Sequence, residues 1–306
     1  MPETMPFTLP QTMNAMVTMG HGDLDQLVFH EAWPCPRPAA GEVLIKVAAC
    51  GLNNTDVNTR SGWYSKAVSE ATTGGAFDEV NDDDPTWGGA PITFPRIQGA
   101  DVCGVIVAVG ADVDPDRIGE RVITDNWLRD PSDPDNKDLT GYFGSERDGG
   151  FAQYTTLPAT NALAINAPHF SDAELATFSC SYSTAEGMLT RANVSASDTI
   201  LIPGASGGVG SALVQLAKLR GATVIAMASA TKHGDVAKLN PDMILDRAPE
   251  NLRAALGEHK VTVVADVVGG PYWPQLIDIL ERGGRYTCSV AIAGPMVELD
   301  LRTFYL

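Results

Sequence analysis

One stretch of this chain constrains its fold more than any other: Thr199 through Gly210, reading TILIPGASGGVG. An apolar run ends in a glycine cluster. It is followed by Ala212, Leu213, Val214, Leu216, Ala217 and Leu219, spaced to give one apolar helical face. The pattern predicts a strand, a tight turn and a helix running toward Gly221, with a second strand over 223–227. The glycines let the backbone turn sharply and approach a pyrophosphate closely. The helix N-terminus offers that anion free N–H groups and a partial positive charge. Gly204, Ala205, Ser206, Gly207, Gly208, Val209 and Gly210 are therefore the expected dinucleotide-binding loop. The alternative is a glycine-rich turn that packs helix on sheet and binds nothing.

The rest of the chain divides by period. From about residue 13 come short strand-like runs broken by Gly, Pro and Asp, among them 15–18, 27–29, 42–50, 105–109 and 119–123. Trp33-Pro34-Cys35-Pro36-Arg37-Pro38 reads as an extended connector that a central strand would exclude. Residues 51–60 read as a turn and a short helix capped by Asn or Thr. After Ser171-Asp172-Ala173-Glu174, a capping box in outline, residues 175–192 read as helical with a break near Cys180. Strands and helices then alternate: helix 232–239, strand 243–245, helix 250–258, strand 261–267, helix 272–280 and strand 285–289. Such alternation makes a parallel sheet with helices on both faces. The expected class is α/β, with a β-rich domain over 13–165 and a doubly wound dinucleotide domain over 166–306.

Composition removes other classes. The net charge of −17 disfavours nucleic acid and anionic membranes, which need a basic surface. No apolar run is long enough to span a bilayer. The first 13 residues lack the basic and apolar regions of a signal peptide, and residues 1–12 read as a loose leader. Five widely spaced cysteines, with no C-x-x-C, suit reduced thiols in a cytoplasm.

Local signatures now combine with the domain order. They are Val47-Ala48-Ala49-Cys50-Gly51-Leu52-Asn53-Asn54-Thr55-Asp56, Gly99-Ala100-Asp101-Val102-Cys103-Gly104, Gly119-Glu120-Arg121-Val122, Gly149-Gly150-Phe151-Ala152-Gln153-Tyr154 and the glycine loop. Together they resemble the medium-chain dehydrogenase/reductase superfamily, nearest its zinc-free quinone oxidoreductase branch. The resemblance implies a GroES-like catalytic domain, a Rossmann domain, a cleft between them where a nicotinamide cofactor meets substrate, and a homodimer joined through the edges of the Rossmann sheets. Family members continue past the equivalent of Leu306 with a last Rossmann strand and a segment returning to the catalytic domain, so the sequence as given reads as truncated or incomplete.

The zinc branch of that family places ligands at Asn53, Ala100 and Cys180; only Cys180 carries a ligating side chain here. A catalytic zinc needs about three protein ligands. The region 124–150, matching the structural zinc lobe, has no cysteine. No zinc is expected, and Cys180 reads as a small apolar residue rather than a nucleophile. For the cofactor, the end of the second Rossmann strand, Met227-Ala228-Ser229-Ala230-Thr231-Lys232-His233, has no carboxylate to hold a ribose 2′-hydroxyl. Ser229 and Lys232 favour the 2′-phosphate of NADPH over NADH; the alternative is a solvated lysine at a helix start. Asp246 also ends a strand but stands too far along the chain to serve as the ribose acid. His169 and His233 are isolated and receive no catalytic role. Val267, Val268 and Gly269 end the fourth strand, and Ser289, Val290 and Ala291 the fifth, where the resemblance puts backbone groups against the nicotinamide. Thr184 matches a position that contacts the nicotinamide face.

Hydride transfer without a metal needs a group to take up developing negative charge. Tyr64, after Arg60-Ser61-Gly62-Trp63, matches the G-x-Y proton-donor position of related enoyl thioester reductases. A neutral phenol can donate to an enolate-like oxygen. A locally packed aromatic is the alternative. Asn53 can hydrogen-bond substrate or its water, or simply its own turn. Acidic insertions at about 64–94 and 127–147 lie in loops of the first domain, where an acidic mouth would disfavour anionic acyl-CoA. The expected activity is zinc-independent, NADPH-dependent reduction of a quinone or an α,β-unsaturated carbonyl. An alcohol/aldehyde oxidoreductase and a non-catalytic NADPH-binding protein are the rivals.

Overall fold

The computed structural model describes residues 9–73, 75–78, 80, 81, 83, 84, 89–130, 132, 133, 136 and 140–305. The leader 1–8 and parts of both acidic insertions, including Glu79 and Asp82, lie outside the described residues. The chain packs as two compact units. One runs through Val68 and resumes over Gly75–Cys180; the other takes residues 69–73 and everything from Ser181 on.

In the first unit, β1 (Thr12–Thr18) pairs antiparallel with β2 (Leu27–Pro34). Trp33 and Pro34 thus join a strand after all, in a two-stranded ribbon where proline is tolerated. β3 (Glu42–Gly51), β4 (Asp101–Val109), β5 (Arg121–Thr124), β8 (Tyr154–Pro158) and β9 (Ala162–Ala164) form an antiparallel sheet in the order β8-β3-β4-β5-β9. β6 (Trp127–Leu128) and β7 (Gly141–Tyr142) make a small pair beside it. Val43, Leu44 and Ile45 are each 0% exposed, so β3 is covered on both faces over that run, while Lys46 beyond it is exposed. Val43 and Ile45 pack with Phe143 and Leu157, while Leu44 packs with Met13, Val17 and Ile97. The helix α1 (Asn54–Ser61) links β3 to the insertion, capped by Asn53 as expected.

Ser171 caps α2 (Asp172–Leu175) with the expected reciprocal bonds to Glu174. The helical break falls at 176–178, and α3 (Ser179–Arg191) begins just before Cys180.

The second unit is built on β10 (Thr199–Ile202), β11 (Thr223–Ala228), β12 (Met243–Asp246), β13 (Val261–Asp266) and β14 (Leu280–Cys288). Every pairing is parallel, in the order β12-β11-β10-β13-β14. Residues of α3 and α4 (Gly208–Leu219), with Val236 of α5 (His233–Ala237), cover Ile200, Ile202 and Val224 on one face. α6 (Leu252–Leu256) and α7 (Trp273–Asp278) cover Leu201, Ile225 and Val264 on the other. This is the expected doubly wound sheet. Three helices are shorter than the sequence predicts: α5, α6 and α7. Their flanking residues form 3-10 turns or bends, so apolar period overstated helical length. No helix among the described residues is long and apolar enough to cross a membrane.

Candidate functional site

Strand order reverses at β10, and the crevice at the carboxyl ends of β10 and β13 is where such sheets take ligands. The glycine loop stands there. Gly204 adopts φ +69°, and a β-carbon on it would meet Val267 Cγ2 at 2.8 Å. A β-carbon on Gly210 would lie 2.1 Å from Gly204 O, so only glycine lets α4 start this close to the strand. Ala205 is buried and its N–H donates to Met227 O at 3.0 Å, tying the loop to β11. Ser206, Gly207 and Gly208 are exposed, Val209 half-buried. The first-turn N–H groups of a 12-residue helix have no intrahelical acceptor. These features fit a pyrophosphate.

Ser229 and Lys232 follow the end of β11 as expected. Ser229 Oγ lies 3.2 Å from Thr231 Oγ1, and the Lys232 side chain is 57% exposed with its Nζ 4.0 Å from Asp235. One sequence reading needs correction. Asp246, set aside for its distance along the chain, is paired in register with Ala228, and its carboxylate lies 3.5 Å from His233 Nε2. Sheet pairing brings adjacent what the chain separates by 18 residues, and His233 also bonds Ala228 O, so it is not isolated.

On the far side of the crevice, Val267 is buried and Val268 half-buried, and Gly269 holds φ +61°. Ser289 Oγ is buried with no hydrogen-bond partner among the described residues, which leaves it able to bond a cofactor. Val290 and Ala291 follow, both half-buried, and Thr184 is half-buried on α3.

Asn53 and Tyr64 belong to the first unit. The Tyr64 hydroxyl donates to Thr55 Oγ1 at 3.2 Å, on the first turn of the helix that Asn53 caps. Burial pushes the Tyr64 phenol above its ordinary range, against side-chain hydrogen bonds with Thr55 and Asn58 that lower it. The turn carrying it is tied to the acidic insertion: Asp84 Oδ2 accepts from Ser65 Oγ at 2.8 Å and Lys66 N at 2.6 Å.

Beneath these half-exposed groups lies a buried layer that sequence reading missed. Asn53 Nδ2 donates to Asp101 Oδ2 at 2.8 Å, and Cys180 N donates to Asp101 Oδ1. Burial raises the Asp101 pKa, and these bonds lower it in part. Asp56 accepts from Asn53 N at 2.9 Å and Gly99 N at 3.2 Å; burial, first, pushes its pKa up to about 6. With its amide oriented to satisfy both ends, Asn126 donates to Ala100 O and accepts from Tyr142 Oη and Cys180 N. Cys180 is half-buried beside this network rather than packed in an apolar core. Ala100 is 1% exposed and offers no ligating atom beyond its backbone. Among the described residues no three His, Cys, Asp or Glu side chains converge as metal ligands. Asp56 and Asp101 stood inside the quoted signatures, but nothing in the sequence marked either as buried or gave its partners.

Comparison with known proteins places this geometry. The alcohol dehydrogenase GroES-like domain family matches residues 39–167, and the zinc-binding dehydrogenase family residues 208–306. The NADPH-dependent alkenal/one oxidoreductase of Arabidopsis thaliana chloroplasts is 28% identical over 94% of this chain, and the chain spans 65% of that protein's length. A solved structure of a candidate alcohol dehydrogenase from Sinorhizobium meliloti is 46% identical, with a TM-score of 0.85 over 97% of this chain and 80% of its own. The cobalt- and zinc-bound thermostable alcohol dehydrogenase of Pyrobaculum aerophilum is 30% identical, with a TM-score of 0.77 over 96% and 81% of the two chains. On both its domain matches and its 46% identical relative, the chain belongs to the medium-chain dehydrogenase/reductase superfamily.

Proposed function

We propose that this chain is a zinc-independent, NADPH-dependent oxidoreductase that reduces a quinone or an α,β-unsaturated carbonyl. The observation that carries the reading is the Asn53–Asp101 hydrogen bond. At the position where the zinc branch has a thiolate ligand, this chain has an amide whose N–H is committed to a buried carboxylate. Cys180 alone does not make a zinc site. The alkenal/one specificity in the name of the Arabidopsis relative supports the substrate class.

The bound nicotinamide would supply the hydride. The protein's residues would do the rest. The glycine loop and the N-terminus of α4 would hold the pyrophosphate, and Lys232 would attract the 2′-phosphate. Tyr64, kept neutral by burial, would donate its proton to the oxygen that gains charge as the hydride arrives. Asn53 would hold substrate or a water with the amide atoms that Asp101 leaves free. We extend the proposal to a homodimer.

The test is NADPH oxidation by chelator-treated protein with a panel of quinones, an enone, an enoyl thioester and an aldehyde. Turnover of quinone or enone is expected, with Tyr64→Phe lowering kcat by about a hundredfold and KM little changed. Turnover confined to the aldehyde, or restored only by zinc, would move the chain to the alcohol dehydrogenase class. Saturable NADPH binding with no turnover would favour a binding protein.

A further inference from the structure

A fully buried carboxylate stands at the end of β13, outside the chemistry proposed above. Asp266 is 0% exposed. Its Oδ1 accepts from Val268 N at 2.7 Å, and both its oxygens lie within 3.2 Å of Gly269 N. Its Oδ2 also accepts from Tyr286 Oη, on neighbouring β14, at 2.8 Å. A buried carboxylate is tolerated only when its lone pairs are used, and these three donors use them.

What the carboxylate holds is a turn. Gly269 and Gly270 both take positive φ. A β-carbon on Gly269 would meet Ala291 Cβ and Gly294 O at 3.2 Å, and one on Gly270 would meet Ala293 O at 2.6 Å. Ala293 N donates to Val268 O at 2.8 Å. The turn is therefore clamped from below by Asp266 and seated against residues 291–294. It also backs the glycine loop, since Val267 and Val268 fill the space beside Gly204.

A dinucleotide spans the point where strand order reverses. Its adenosine half belongs on the β11 side, with Ser229 and Lys232. The other half must then lie on the side of β13 and β14. We propose that Asp266 is a positioning residue for the nicotinamide half of the cofactor, acting through the 267–270 turn. The inference rests on the dinucleotide reading above.

The experiment is calorimetric titration of the full chain with NADPH and, separately, with 2′,5′-ADP, which carries the adenosine half alone. Asp266→Leu removes every acceptor. It is expected to weaken NADPH by about tenfold or more while 2′,5′-ADP stays within about twofold. Asp266→Asn keeps an oxygen toward Val268 and Gly269 and should recover most of the loss. A merely structural role would weaken both ligands alike, and that result, or no loss for NADPH, would overturn the inference. If Asp266→Leu does not fold, Gly269→Ala must show the same split, because a β-carbon at φ +61° deforms the turn itself. Failure of the unaltered protein to bind either ligand would overturn the dinucleotide reading, and this inference with it. Equal losses on a protein that binds both would overturn the positioning role alone.

Discussion

The two units build their sites from different materials. In the second unit the site is backbone: a glycine loop, a helix N-terminus and a glycine turn, placed by close packing. In the first unit it is side chains in two layers, with Asn53, Thr55 and Tyr64 above and Asp56, Asp101, Asn126 and Tyr142 beneath. A backbone site tolerates no added atom. A side-chain site tolerates atoms but not a lost partner, because its acids are buried and paired. The two should therefore fail in different ways.

The largest expected effect is steric. Gly210→Val would put side-chain atoms where Gly204 O already lies 2.1 Å from an ideal β-carbon. It should destabilise the fold by about 1–3 kcal/mol or more and abolish NADPH binding, read by denaturant unfolding and titration. Next, Asp101→Leu strips the acceptor from Asn53 Nδ2 and leaves Cys180 N only the Asn126 amide oxygen. It should cost about 1–3 kcal/mol, chiefly for the orphaned Asn53 donor, and leave 2′,5′-ADP affinity unchanged. A parallel loss of nucleotide binding would break the contrast between the units.

A third test uses pH. The Asp56 carboxyl is raised from an ordinary 3.8 to about 6 in the fold. The folded chain therefore holds a proton that the unfolded chain releases. The stability this contributes is complete below the unfolded value and is lost as pH rises through the folded one. Compared with Asp56→Asn, the unaltered chain should lose on the order of 3 kcal/mol of relative stability between about pH 4 and pH 7. A constant difference across that window would mean that Asp56 titrates normally. The smallest effect is expected at Lys232, which is mostly exposed. Lys232→Ala should weaken NADPH by about threefold to tenfold and leave NADH unchanged. Equal changes for both would locate phosphate recognition elsewhere.

The contrast also explains what could be read in advance. Glycines announce backbone sites, because a positive φ or a contact under 3 Å leaves few other residues possible. The loop from Gly204 to Gly210 was legible for that reason, as was the parallel sheet, from its alternating period; Gly269 was named only as the end of a strand. Asn53 and Tyr64 were legible through local pattern. Their partners were not: Asp101 lies 48 residues from Asn53, and Cys180 a further 79. Nothing in a local window marks an aspartate as buried. Asp246 shows the same limit, discounted by chain distance and returned by one parallel pairing with Ala228.

By itself, then, the sequence determined the two fold types and the place of the glycine loop, because both follow from short-range periodicity and from residues with restricted backbone freedom. The tertiary structure decided which carboxylates are buried, which donors satisfy them and which strand ends become neighbours. Those depend on desolvation and on hydrogen bonds between segments distant in the chain, and both come into being only when the chain has folded.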